Sequence, residues 1–309
     1  MAVINTIASK SAGCGGEEIN TGDLGCDIAF GLVTHALGLS KGVVIAKETE
    51  LSLSVIEALV QKGDIIPLMD AFSSEPTMSE DTLETSPLGV EALTLKGLPK
   101  YSLTMKKGQN YYKQMAKLTG FGNINYVLGD VNGNWKFAVT SSGDFTGFTA
   151  GQTLAAMTTP ATATETEKKT FTFQLTDRKQ IDSTYAVIES ANAFPISHVT
   201  GINGVQFSFE NANGLVVPAA GDTTLSIKAV LESDRITEIE GLVLANFTTS
   251  AGTISAAVDN GNGFYSLTVG SLTPGLLTVA TKDAAVGVNV IKVSSALYRS
   301  NLLSATVAS

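Results

Sequence analysis

Four carboxylates, those of Glu75, Glu80, Asp81 and Glu84, lie in one short acidic stretch of the chain. Two carboxylates held close together can act as general acid and general base. The stretch also contains serines and prolines and has no hydrophobic period, which is typical of a solvated loop. We therefore predict no catalytic residue among these four and interpret residues 70–87 as a long loop.

The other candidate ligands and nucleophiles are few and far apart. The chain has two histidines, His35 and His198, and two cysteines, Cys14 and Cys26. None of them has the spacing of a zinc site, such as Cys-x-x-Cys. We expect no metal and no cofactor, and whether the two cysteines form a disulfide or stay reduced is left open.

One motif begins like a calcium-binding loop. Asp130-x-Asn132-x-Asn134 has the right opening, but Trp135 occupies the position of the required glycine and no glutamate closes the loop. A hairpin turn is the better interpretation. Nucleophile-elbow, phosphate-loop and dinucleotide-binding motifs are absent from the sequence as well. We therefore predict that the protein is not an enzyme.

Composition points to a protein whose surface is its function. Only 16% of the 309 residues are charged, and the net charge is −9. This balance argues against nucleic-acid binding, which needs a cationic footprint. Low charge suits subunits that contact copies of themselves, because each interface of standard size buries about 1,600 Å².

Targeting segments are not expected from the sequence. The apolar start of the chain is interrupted by Asn5, Thr6, Ser9 and Lys10, so it lacks the apolar run of a signal peptide. No stretch approaches the ~18 apolar residues of a membrane span. We expect a protein that is made and assembled in a cytoplasm, without membrane contact.

Alternating apolar residues predict a mainly β protein. Examples are Tyr101/Leu103/Met105 and Phe171/Phe173/Leu175. Two helices interrupt these strands. The first is capped by Ser54 or Ser52 and ends at Gly63, and the second is capped by Asn110 and ends at Gly120. The N-terminal part therefore resembles a β-sandwich or barrel with one or two helices.

The pattern changes after Phe194-Pro195. From there, about seven short alternating strands are separated by turn sequences, which is typical of an immunoglobulin-like β-sandwich. We predict two domains, 1–195 and 196–309, the second being the Ig-like sandwich.

Residues 82–178 resemble the major tail tube subunits of tailed bacteriophages. The likeness is in the order of elements, which runs through Thr82-Leu-Glu-Thr85, Gly89–Tyr101, Lys107-Gly108, the Tyr111-Tyr112 helix, Gly120-Phe-Gly-Asn123, the hairpin, Gly147-Phe-Thr149 and Phe171–Arg178. That family combines a β-sandwich, a flanking helix and a long inter-strand loop. An Ig-like C-terminal domain on the outer surface is a common addition.

The resemblance implies a structural protein of the virion tail, assembled in the host cytoplasm into stacked, hexameric rings. The partners would be other copies of the chain and other virion proteins, with double-stranded DNA passing through the lumen without specific binding. The C-terminal domain would make at most weak contact with host-surface glycans. Alternatives are a head–tail connector ring, a capsid decoration or baseplate protein, or a surface adhesin or carbohydrate-binding module.

Within this interpretation, residues 70–87 with Glu75, Glu80, Asp81 and Glu84 form the candidate assembly loop. We expect the loop to be disordered in a free subunit and ordered between neighbours, because ordering costs about 1–2 kcal/mol per residue. We also expect a neutral or negative lumen, since cationic walls would retain DNA phosphates.

Overall fold

The alternation seen in the sequence becomes alternation of burial. In the strand Lys169–Leu175, Phe171, Phe173 and Leu175 are buried while the intervening Thr170, Thr172 and Gln174 are half-exposed. The same pattern recurs through a computed structural model of the chain, and the protein is mainly β, as predicted. The described residues are 30–47, 49, 51–85, 91–95, 97–121, 123–188, 199–210, 216–217 and 222–308.

The chain divides into two compact units, Met1–Val199 and Thr200–Ser309. The division falls a few residues after the predicted boundary at 195. The strands described in the first unit are β1 Val33–Ser40, β2 Ile65–Leu68, β3 Ser73–Met78, β4 Thr82–Thr85, β5 Glu91–Leu95, β6 Pro99–Met105, β7 Gly120–Phe121, β8 Ile124–Asp130, β9 Trp135–Val139, β10 Phe145–Thr146, β11 Phe148–Ala155, β12 Lys169–Leu175 and β13 Tyr185–Ile188.

Eleven of these strands form one branched sheet. Its main path runs β10-β9-β8-β11-β12-β6-β3. Strand β1 pairs with β8 and β2, β13 pairs with β9, and β7 pairs with β11. Among the described strands, β4 and β5 form a separate two-stranded sheet. The core of this unit contains stacked rings, with the centroids of Tyr126 and Phe173 4.1 Å apart.

Three helices are described in the first unit: α1 Leu53–Lys62, α2 Gln109–Ala116 and α3 Arg178–Asp182. Helix α1 follows Ser52 and ends at Gly63, whose φ of 85° suits glycine. Helix α2 starts after Gly108 and stops at Ala116, so the predicted cap at Asn110 and end at Gly120 are wrong. None of the described helices has the length and apolar character needed to cross a membrane.

The second unit contains two sheets that share one core. Its described strands are β14 Ile202–Phe209, β15 Val216–Val217, β16 Thr223–Leu231, β17 Phe247–Thr249, β18 Thr253–Asp259, β19 Phe264–Gly270, β20 Gly275–Thr281, β21 Ile291–Val293, β22 Ala296–Ser300 and β23 Leu303–Val307. One sheet has the order β18-β19-β16-β14-β22-β21, and the other has the order β15-β23-β20-β17. Buried residues of both, including Phe207 and Val279, pack together.

Candidate assembly surface

A long hairpin arm, formed by the paired strands β3 and β6 and the paired strands β4 and β5, replaces the predicted loop. Strand β3 pairs antiparallel with β6 from Ser73↔Thr104 to Met78↔Pro99. Beyond a junction formed by residues 79–81 and 97–98, β4 pairs antiparallel with β5. The interpretation of residues 70–87 as a structureless loop is therefore wrong, because most of this segment lies in the two outgoing strands of the arm.

The physical reason for this error is the exposure of β3. A hydrophobic period arises only when one face of a strand is buried. Every residue of β3 is exposed except Ser74, which is half-buried, so its sequence Ser-Ser-Glu-Pro-Thr-Met shows no alternation. Its strand conformation comes from pairing with β6, about 25 residues further along the chain.

The four predicted carboxylates occupy different places along the arm. Glu75 is exposed in β3 with Ser102 as its Cα partner, and Glu80 is exposed in the junction. Glu84 lies in β4 opposite Ala92. Asp81 makes the contacts described next. The four residues lie at separate positions along the arm, so they do not converge on one catalytic centre.

The carboxylate of Asp81 stabilises the junction. Its Oδ1 accepts hydrogen bonds from the backbone N–H of Gly97 at 2.6 Å and from Nη1 of Arg178 at 2.8 Å. The Nε of Arg178 also bonds Oδ2 of Asp182 at 3.0 Å. The hydrogen bonds to Asp81 and Asp182 raise the pKa of the Arg178 guanidinium. The Asp81 side chain therefore stabilises the junction and connects it to helix α3.

Gly97 is closely packed against the opposite segment of the junction, and we expect Gly97→Ala to disrupt the junction. An added Cβ would overlap the carbonyl oxygen of Ser79 and lie 2.9 Å from the carbonyl carbon of that residue. Overpacking of this kind costs about 1–3 kcal/mol. Urea unfolding and limited proteolysis should show lower stability and faster cleavage within residues 79–98.

Gly120→Ala is the matched control, because a Cβ at Gly120 would meet no atom within 4 Å. Equal protease resistance of the Gly97→Ala variant and the wild type would contradict the proposal that close packing at Gly97 stabilises the junction.

Asp70 connects both ends of the arm to the sheet. It precedes β3 with a left-handed φ of 57°. Its Oδ2 accepts a hydrogen bond from Nζ of Lys107, just after β6, at 3.0 Å. Its Oδ1 lies 3.3 Å from Nε2 of His35 in β1. Burial opposes ionisation of Asp70, but the hydrogen bonds from Lys107 and His35 outweigh it, and the pKa of Asp70 is lowered.

His35, which contacts Asp70 just before the arm, makes the stability of the fold depend on pH. Burial lowers the pKa of His35 below 6.5, and the hydrogen bond and charge of Asp70 only partly oppose this effect. The folded protein therefore favours neutral His35, while the unfolded chain takes up a proton below about pH 6.5. The contribution of His35 to stability is consequently lost as the pH falls below about 6.5.

We expect His35→Gln to remove this contribution to the pH dependence. The melting temperature of the wild type should fall more steeply than that of the variant between about pH 7.5 and about pH 5.5. Thermal unfolding of both proteins in matched buffers measures the difference. Parallel pH profiles would contradict the assignment.

Strand β3 lies at one edge of the main sheet, where β6 is its one partner among the described strands. Pro76 and Glu75 lie along this edge, and Met78 is 62% exposed. Phe72, just before β3, is 62% exposed and has Nζ of Lys106 3.4 Å from its ring centroid. The arm therefore presents a strand edge with no second partner among the described strands, together with a few large apolar side chains.

The calcium-like motif is a hairpin turn between β8 and β9, as predicted. Both oxygens of Asp130 accept hydrogen bonds, which come from the N–H groups of Gly31, Asn132 and Asn134 and from the Asn134 side chain. Trp135 is fully buried. Within the described ranges, no three His, Cys, Asp or Glu side chains come together as metal ligands would. Cys14, Cys26 and His198 lie outside the described residues.

The residues that organise the arm were not singled out in the sequence. Arg178, Gly97 and Asp70 have ordinary neighbours, and their partners lie far along the chain, 97 residues away for Arg178 and Asp81. The one local signal was the end of the β12 pattern at Asp177, which caps α3 through hydrogen bonds from the N–H groups of Lys179 and Gln180.

Comparison of the sequence with protein families and with curated proteins gives no match.

Proposed function

We propose that this protein is a self-assembling structural subunit that forms stacked rings, of the kind that build the tail tube of a bacteriophage. In this proposal the first unit forms the ring and the arm reaches a neighbouring subunit. The partners are other copies and other virion proteins, and no cofactor takes part.

The observation that best supports this proposal is the arm. Its outer strands, β4 and β5, form a sheet of their own, separate from the eleven-stranded sheet. An isolated two-stranded hairpin is at best marginally stable in water. Such a hairpin gains stability when a partner covers it, and a neighbouring subunit is the partner that repeated assembly supplies.

The open edge of β3 supports the same function. An edge strand with free N–H and C=O groups is a template for pairing with another chain. When the edge of β3 contacts a different patch of a neighbouring copy, the contact is heterologous, and such contacts close into rings when the rotation between neighbours allows it. Glu75 and Pro76 restrict unspecific pairing along this edge, as charged residues and prolines do on natural edge strands.

The charge of the chain suits a tube that conducts DNA. The net charge is −9, and exposed arm residues include Glu75 and Glu80. Cationic surfaces bind phosphates through counterion release. An acidic subunit therefore lets double-stranded DNA pass without retaining it.

We further propose that the second unit is an immunoglobulin-like domain on the outside of the assembly. The order β14-β16-β19-β18 corresponds to strands A-B-E-D, and β23-β20-β17 corresponds to G-F-C. The hairpin β21–β22 is then an addition next to strand A. Glycan contact by this unit has no support from its described surface, where the exposed large apolar side chains are aliphatic.

Sedimentation velocity of the purified full-length chain tests the assembly proposal. We expect discrete species much heavier than the 32.1 kDa subunit, growing with protein concentration. A single 32.1 kDa species over the whole accessible concentration range would contradict the proposal.

A further inference from the structure

Strand β18 is an open edge of the six-stranded sheet in the second unit. It pairs with β19, and no other described strand pairs with it. Ala257 packs against the core on one face of β18, whereas Val258 is 54% exposed on the other. The outer edge of β18 therefore has no strand partner among the described residues and lies beside an exposed apolar side chain.

This edge lacks the protection that two other edge strands, β3 and β2, have. Natural edge strands are usually guarded by charges, prolines or bulges. Strand β3 contains Glu75 and Pro76, and β2 contains Pro67. Strand β18 has the sequence Thr-Ile-Ser-Ala-Ala-Val-Asp, without lysine or proline. A bulge lies between Ile254 and Ala256, and the pairing of the following residues is regular.

The one charge in β18, that of Asp259, is bound by backbone N–H groups of two neighbouring loops. Oδ2 of Asp259 accepts a hydrogen bond from the N–H of Gly241 at 2.9 Å, and Oδ1 accepts one from the N–H of Gly261 at 2.9 Å. These two hydrogen bonds lower the pKa of Asp259. The carboxylate is thus held by backbone groups of the same unit and does not guard the edge.

We propose that residues 256–258 of β18 pair antiparallel with the same residues of a second copy, about a two-fold axis at Ala257. Each Val258 then lies opposite Ala256 of the partner on the outer face of the joined sheets. The two Asp259 residues are four positions apart, about 14 Å along the strands, so like charges are not opposed. The edge is therefore complementary to itself, as a two-fold contact requires.

The small size of this contact indicates where it acts. A few paired residues bury far less than the roughly 1,200 Å² of a stable interface. Two free subunits should therefore associate weakly. Rings or tubes that present many copies gain avidity from several weak contacts at once. The inference thus rests on the proposed function and goes beyond it, because it assigns β18 to lateral contact between assemblies.

Val258→Glu tests this pairing in the full-length chain. The substitution places two carboxylates diagonally across the axis on one face, about 7–8 Å apart. Val286→Glu is the matched control, because Val286 is 43% exposed in the same unit but outside β18. We expect wild type and control to show concentration-dependent lateral association by light scattering and electron microscopy. Val258→Glu should raise the required concentration at least about tenfold, which corresponds to about 1.4 kcal/mol.

Ring formation separates the two proposals. All three proteins should form rings. If rings form but do not associate laterally, or if Val258→Glu leaves their lateral association unchanged, the pairing is overturned. The edge would then be open to a strand of another protein. If no rings form, the proposed function fails and the pairing is measured on single subunits by sedimentation equilibrium. Dimers at high concentration that Val258→Glu removes support the pairing, and monomers throughout overturn it.

Discussion

Replacing residues 82–95 with an Asn-Gly turn is expected to abolish ring and tube formation while the subunit stays folded. The replacement removes β4 and β5 but keeps the ladder between β3 and β6. Asn-Gly favours the type I′ turn that closes a two-residue hairpin. The removed strands are outside the main sheet, so the subunit loses its proposed contact with a neighbour and keeps the eleven-stranded sheet.

Sedimentation velocity compares the shortened arm with the wild type, and circular dichroism verifies the fold. The matched control shortens a different connection by replacing residues 161–166, all exposed between β11 and β12, with the same turn. The control should assemble as the wild type does. Normal assembly of the arm variant, or equal loss in both variants, would show that the arm is not the specific assembly element.

Phe173→Ala is expected to destabilise the first unit by about 3–5 kcal/mol, the range for a large buried aromatic residue. Phe173 is fully buried, and its ring centroid lies 4.1 Å from that of Tyr126 and 5.5 Å from that of Tyr101. Truncation therefore removes the central ring of a stack and leaves a cavity. Because the single tryptophan, Trp135, is buried in the first unit, its fluorescence reports the unfolding of that unit.

Phe207→Ala is the counterpart in the second unit. Phe207 is 1% exposed, and its centroid lies 5.9 Å from that of Phe247. Since each unit has a core of its own, Phe207→Ala should shift the unfolding seen by circular dichroism but leave the transition of Trp135 in place. Equal shifts of the tryptophan transition in both variants would show that the two units unfold as one.

Strands with one buried face were the part of the fold that the sequence made predictable. The patterns at Phe171–Leu175 and Tyr101–Met105 lie in β12 and β6, because alternation in the sequence follows the buried face of a strand. Strand β3 shows no such alternation, since all of its residues except Ser74 are exposed. The start of α2 was missed because Asn110 is a better capping residue than Gly108, yet the chain enters the helix after Gly108.

The assembly surface was only partly predictable for a related reason. Acidic composition located the segment, and Asp81 within it does make a structural contact. The contact itself depends on Gly97 and Arg178, which three-dimensional pairing brings to Asp81 from distant positions. Clustering of like residues in the sequence identifies exposed segments, but it does not identify their partners.

Negative-stain electron microscopy of the purified full-length chain is the most direct test of the assembly proposed for this molecule. We expect rings with a central channel that stack into tubes as concentration rises. Fields of separate, compact particles at every concentration would contradict the account.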